Sequence, residues 1–181
     1  MLYFISGLVA VIVIYVLVTY NSLVTTRNTV KEASSTMDVF LKKRWDLIPN
    51  LVEVVKTYAN YEQDVLTKIT ELRINNYENM SIGAKININE QLTRGLSEII
   101  AISEKYPELK ASENFLQLNK DLTKIEEDIA NSRKYYNGAV RLLNDKIQMF
   151  PSNLIAKLFG FKTMEMFEIG TEEKNNIKVE L

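Results

Sequence analysis

Histidine and cysteine carry much of enzyme catalysis and transition-metal binding, and this chain has neither. Ser-His-Asp and Cys-His arrangements are therefore excluded, as are the usual structural zinc sites and a di-iron bundle built on Glu-x-x-His pairs. The phosphate-cradling G-x-x-x-x-G-K-[ST], the dinucleotide G-x-G-x-x-G and the nucleophile elbow G-x-S-x-G are also missing from the sequence. Carboxylate-based hydrolysis and a Ser-Lys pair stay open, because neither has a diagnostic spacing. The polar clusters that remain read as structural. Adjacent residues on a helix point in different directions, so Glu126-Glu127-Asp128 is expected to form a solvated face rather than a metal site. Lys42-Lys43-Arg44 reads as an exposed helical turn, with anionic lipid headgroups or a partner as the alternative contact. In Tyr135-Tyr136-Asn137 a buried Tyr-Asn contact that satisfies polar atoms in the core, involving Tyr136 and Asn137, is expected over a ligand site. No catalytic residue, cofactor or metal is assigned.

The most unusual cluster is Arg44-Trp45-Asp46-Leu47-Ile48-Pro49-Asn50, which holds the only tryptophan and one of three prolines. Proline inside a helix supplies no N–H and crowds the carbonyl four residues earlier, here that of Trp45. The chain must bend there, or stop and turn a corner; with no glycine beside Pro49, a kink is the expectation. Arg44, Asp46 and Asn50 lie within two turns and are expected to satisfy the backbone groups that Pro49 frees. A peptide or ligand site is the alternative.

Long helices must position these clusters, since six glycines and three prolines in 181 residues leave few turns. From Met1 to Thr26 no side chain is charged, and Leu2 to Tyr20 is almost wholly apolar. Such a run reaches about 28 Å, close to the roughly 30 Å hydrocarbon core of a bilayer. Nothing basic precedes it and Val18-Thr19-Tyr20-Asn21 offers no cleavage pattern, so it reads as an uncleaved anchor rather than a signal peptide. Arg27, Lys31, Lys42, Lys43 and Arg44 follow the span. The positive-inside rule then places the N-terminus outside and the remainder in the cytoplasm. A net charge of −1 gives no reason to propose nucleic acid as a partner.

Beyond the span, apolar residues recur by threes and fours through Leu23, Val30, Ala33, Met37, Leu41, Trp45 and Ile48, then from Leu51 to Leu72. An asparagine-rich interval, Asn75 to Asn89, reads as a loop, with Asn87 and Glu90 spaced to begin a helix. A helix from there ends before Pro107, and Ser112 is placed to cap the longest pattern, Phe115 to Phe150. Ser152 to Ile169 is rich in Leu, Phe and Met. Its basic residues Lys157 and Lys162 are opposed by Glu165 and Glu168, so packing back on the bundle is expected over lying on a membrane surface. The expected architecture is all-α: a transmembrane helix (1–22), an up-and-down four-helix bundle (23–169) and a disordered tail (170–181).

Three blocks carry a family resemblance. The first is Tyr20-Asn21-Ser22-Leu23-Val24 with Arg27-Asn28-x-Val30-x-Glu32-Ala33. The second is Asp38-Val39-x-Leu41-Lys42-Lys43-Arg44, then Asp46-Leu47-Ile48-Pro49-Asn50-Leu51-Val52 and Val55-Lys56-x-Tyr58-Ala59. The third is Tyr136-Asn137-x-Ala139-Val140, Asn144 and Phe150-Pro151-Ser152-Asn153, closing on Phe159-Gly160-Phe161. In these the chain resembles the LemA family of bacterial membrane proteins; Trp45 and Tyr61 depart from the family's pattern. The resemblance implies a single-pass protein with a short outer N-terminus and a helical-bundle domain, and no named enzymatic activity. Some members resemble proteins that help form magnetosome membranes, a role that fold alone does not transfer. The expected function is a membrane-anchored scaffold, in contact with the bilayer through residues 2–20 and with an unidentified protein partner. A transducer working through the helix at Pro49 is the alternative, and a carboxylate hydrolase ranks third.

Overall fold

The apolar steps from Leu23 to Ile48 carry on from the N-terminal run with no glycine or proline between Tyr20 and Pro49. The backbone follows that pattern. In a computed structural model, which describes residues 1–59, 61–72 and 77–167, a single helix α1 extends from Leu2 to Tyr58. It runs through Pro49 without a break, so the corner considered for this residue is not formed. An interior proline costs about 3 kcal/mol. Ile48, Leu51, Val52 and Val55 are buried around it, and at roughly 1.5–3 kcal/mol per large side chain their packing outweighs that cost. The chain turns later. The Ala59 N–H donates to the Val55 carbonyl at 2.8 Å and the Glu62 N–H to the Ala59 carbonyl at 3.2 Å. No glycine or proline marks that turn.

Helix α2 (Gln63–Glu71) buries Leu66 and Ile69. It approaches α3 (Ile82–Lys105) closely enough that a Cβ on Gly95 would lie 2.7 Å from Ile69 Cγ1. Between them Tyr77–Asn79 forms a 3₁₀ turn. The asparagine-rich interval is therefore only partly a loop. Ser81, not Asn87, caps α3, its hydroxyl accepting from the Ala84 N–H at 3.3 Å. Lys85, Ile86, Asn89 and Leu92 keep helical spacing and are all buried, which overrides the weak helix propensity of the asparagines. Pro107 opens the short α4 (Pro107–Lys110). Helix α5 spans Glu113–Gln148, with the Ser112 carbonyl accepting its first bond from Leu116 at 3.0 Å. Helix α6 (Ser152–Leu158) ends in a Schellman-type turn, the Phe161 N–H reaching the Ala156 carbonyl at 2.9 Å. Gly160 takes the φ of +71° that this turn requires.

The chain forms two compact units, and α1 and α5 each contribute to both. The first unit comprises Met1–Ala33 and the chain from Arg133 onward. Its core joins Leu23, Val30 and Ala33 of α1 to Tyr136, Val140 and Leu143 of α5 and to Ile155 and Ala156 of α6. The second unit, Ser34–Ser132, is centred on Met37, Ile48, Val55, Leu66, Ile69, Ile99 and Ile129. All described elements are helical, as expected. The expected tail, 170–181, lies outside the described residues.

Candidate functional site

In the second unit, side chains at seam positions of α1, α3 and α5 bring three polar groups together. Arg44 is 2% exposed. Its Nη1 donates to Asn89 Oδ1 of α3 at 2.9 Å, and the guanidinium forms an ion pair with Glu126 of α5. A second polar cluster lies beside it. Lys85 Nζ spans both carboxylate oxygens of Asp38, at 2.7 and 2.9 Å. The same ammonium sits 4.6 Å from the centre of the Tyr77 ring. The Tyr77 hydroxyl donates to Asp38 at 3.5 Å, and its ring meets Trp45 at 4.9 Å between centroids. Burial, reinforced by the Asp38 carboxylate, pushes the Tyr77 phenol well above its ordinary range. It therefore remains a donor across the physiological range.

Arg44 and Glu126 also face a cleft of about 180 Å³ whose apolar wall includes Leu51, Leu96, Phe115 and Leu122. The hydroxyls around it are engaged with their own helices: Thr93 with the Asn89 carbonyl, Ser97 with that of Thr93, and Thr123 with that of Asn119. Glu126 is the one carboxylate among the lining residues, and Arg44 holds it. The arrangement neutralises charge inside a helical seam. It presents no paired nucleophile and base.

The first unit holds a different device. After Gly160 the chain runs without regular secondary structure along α5 through residues 161–167, held by carboxamides. Asn137 makes both hydrogen bonds a backbone unit offers: Nδ2 donates to the Phe167 carbonyl and Oδ1 accepts from the Phe167 N–H, each at 2.8 Å. Asn144 treats Met164 the same way, at 2.8 and 2.9 Å. The Tyr136 hydroxyl donates to the Glu165 carbonyl at 3.3 Å, and burial raises its pKa. The Tyr136 and Phe167 rings lie 4.6 Å apart. Further along α5, Lys146 Nζ bridges Ser22 Oγ and Thr26 Oγ1 of α1, both at 2.7 Å.

A model of the LemA family matches residues 33–181. The chain belongs to the LemA family. Protein LemA of Metamycoplasma hominis is 25% identical over 159 residues, covering 87% of this chain and 72% of that protein. Magnetosome protein MamQ 2 of Paramagnetospirillum magneticum and magnetosome protein MamQ of Magnetospirillum gryphiswaldense are each 24% identical. The chain spans 65% of the length of each of these two. None of these names, nor the family's description, states an enzymatic activity.

The structure parts the residues grouped in the most identifying LemA block. Arg44 leaves the expected exposed turn for the seam, Trp45 stacks on Tyr77, and Pro49 is partly buried. Asp46 and Asn50 are exposed, Asp46 pairing with Lys42 at 2.5 Å. The clamp of Arg44, Asp46 and Asn50 around Pro49 is thus not assembled, because a 100° advance per residue points Arg44 and Asp46 apart. Tyr136 and Asn137 do satisfy polar atoms, but those of the 161–167 segment. Glu126, read as solvated, is instead an ion-pair partner, while Glu127 is exposed. Asn89, Glu126, Lys85 and Asn144 carry contacts that the sequence reading did not assign. The signal for Arg44 was available: Met37, Leu41, Arg44, Ile48, Leu51 and Val55 step by four and three along one seam.

Proposed function

We propose that this LemA-family protein is a membrane-anchored interaction scaffold whose helical units are held at the cytoplasmic face of a bacterial inner membrane. One observation carries the reading. The apolar N-terminal stretch of α1 is long enough to cross a bilayer, and no residue of its most apolar window is buried inside the protein. Tyr3, Phe4, Leu8, Ile14, Leu17 and Val18 all project outward. Leaving so many large apolar side chains in water is unfavourable by roughly 1.5–3 kcal/mol apiece, and a hydrocarbon core removes that penalty. The MamQ relatives are magnetosome proteins, and membrane association agrees with the anchor. The Arg44–Glu126 ion pair in the second unit and the carboxamide ties in the first fit units that each hold their shape while presenting a surface.

Photo-crosslinking groups placed at exposed positions of 34–132, in the full chain and in native membranes, test this. A scaffold gives a reproducible adduct from one face and little from the others. Uniform adduct formation from every face contradicts it.

The unbroken course of α1 from the apolar stretch to Tyr58 favours a second reading, a transducer acting through this helix. In that case Pro49→Ala alters the output without lowering stability. A variant that loses stability and changes no output removes the reading's main support.

A further inference from the structure

The hairpin formed by the end of α5 and α6 leaves a row of large apolar side chains in the open. Phe150 is 80% exposed, Leu154 59% and Leu158 73%. Leu154 and Leu158 are four apart on α6 and share one face, Phe150 lies exposed in the turn that leads into it, and Ile155 and Ala156 on the other side are buried against α1. Met149 and Phe159, also exposed, widen the patch.

The position of this patch along α1 decides what covers it. Ile155 and Ala156 belong to the same cluster that Val16 and Tyr20 pack against, and the Phe159 ring lies 4.7 Å from that of Tyr20. Val16 and Tyr20 are the last turn of the apolar run, and at about 1.5 Å per residue Val16 lies about 6 Å further into it than Tyr20. The first polar layer, Ser22 and Thr26 bridged by Lys146, comes immediately after. Hence α6 sits beside the membrane side of that layer, at the depth where acyl chains meet headgroups. Charge agrees. On α6 and in the turn after it the charged side chains are Lys157 and Lys162, both basic, as an anionic headgroup layer favours, and the opposing Glu165 lies further on, where the chain is tied to α5.

We propose that Phe150, Leu154 and Leu158 form a second lipid contact, inserting into the interfacial layer of the same leaflet from which α1 emerges. This rests on the anchor reading above and extends it. The segment both packs back on its unit, through Ile155 and Ala156, and faces lipid with its opposite side. The membrane-proximal end of the protein is thereby held by two elements, which fixes its rotation about α1 as a single span does not.

The native chain has no cysteine, so single labels are direct. Full-length Leu154→Cys and Leu158→Cys, carrying bimane, are reconstituted into vesicles of phosphatidylcholine and phosphatidylglycerol containing lipid nitroxides near the top of the acyl chain. Val11→Cys reports the span and Lys120→Cys the second unit. The expected result is lipid quenching at positions 154 and 158 to within about twofold of that at 11, with iodide in the water quenching only the label at 120. Iodide quenching at 154 and 158 as strong as at 120, with position 11 still lipid-quenched, overturns the α6 contact and leaves the anchor standing. Iodide quenching at position 11 as well overturns both. Leu154 and Leu158 are more than half exposed, so labels there leave the packed side intact.

Discussion

Arg44 occupies a seam step between Leu41 and Ile48, so its guanidinium loses its water and must be repaid by Asn89 and Glu126. Removing one member of a buried pair costs about 3–5 kcal/mol, but the Glu126 side chain is 44% exposed and screening discounts that figure. Glu126→Ala is therefore expected to lose about 1–3 kcal/mol in denaturant unfolding, and the joint replacement Arg44→Met with Glu126→Leu markedly less. Equal losses in both contradict the pairing. Tyr77 gives a pH signature. Its folded pKa lies above the ordinary 10.0, so its contribution is complete below pH 10 and declines as the pH climbs above that, where only the unfolded chain ionises readily. Melting temperatures should fall more steeply above about pH 10 for the native chain than for Tyr77→Phe. At this scale the sequence was half legible. Arg44 lay on a visible period, yet its charge and its neighbours Lys42 and Lys43 argued for solvent. Asn89 and Glu126, forty-five and eighty-two positions further on, carry no local mark of being its partners.

Among the elements, α1 and α5 were legible because their apolar steps extend over many turns, and tertiary burial carried α1 through Pro49 despite the proline. The helix starting at Ile82 was hidden by its asparagines, whose turn preference is a local signal that burial of Ile86 and Asn89 overrides. The 161–167 segment was legible only as an apolar stretch. Asn137 and Asn144 stand a heptad apart, but nothing local says that they grip backbone. Since each makes two bonds worth about 1 kcal/mol apiece, Asn137→Ala should loosen the segment by about 1–2 kcal/mol. Amide hydrogen exchange at Phe167 should then speed up while Leu143 stays protected. Unchanged exchange at Phe167 means that packing of the Phe161 and Phe167 rings, not the carboxamides, holds the segment. Gly160→Ala, at a φ of +71°, should act on the same segment, at about 1–2 kcal/mol.

For the whole molecule, the apolar run and the family blocks were readable because membrane length and motif spacing are properties of sequence alone. The division into two units was not, since it depends on which faces of α1 and α5 meet which neighbours. Nor was the two-sided character of α6, because apolar residues bound for a core and for lipid look alike until one face is seen to be covered. Residues 2–20 are proposed to cross the membrane and to leave the rest of the chain on the cytoplasmic side. An impermeant thiol reagent applied to cells expressing full-length Ser112→Cys tests this most directly, with any outer membrane opened beforehand. This site, in the membrane fraction, is expected to resist the reagent until the inner membrane is breached and then to label fully. Labelling in cells whose inner membrane is intact would contradict it.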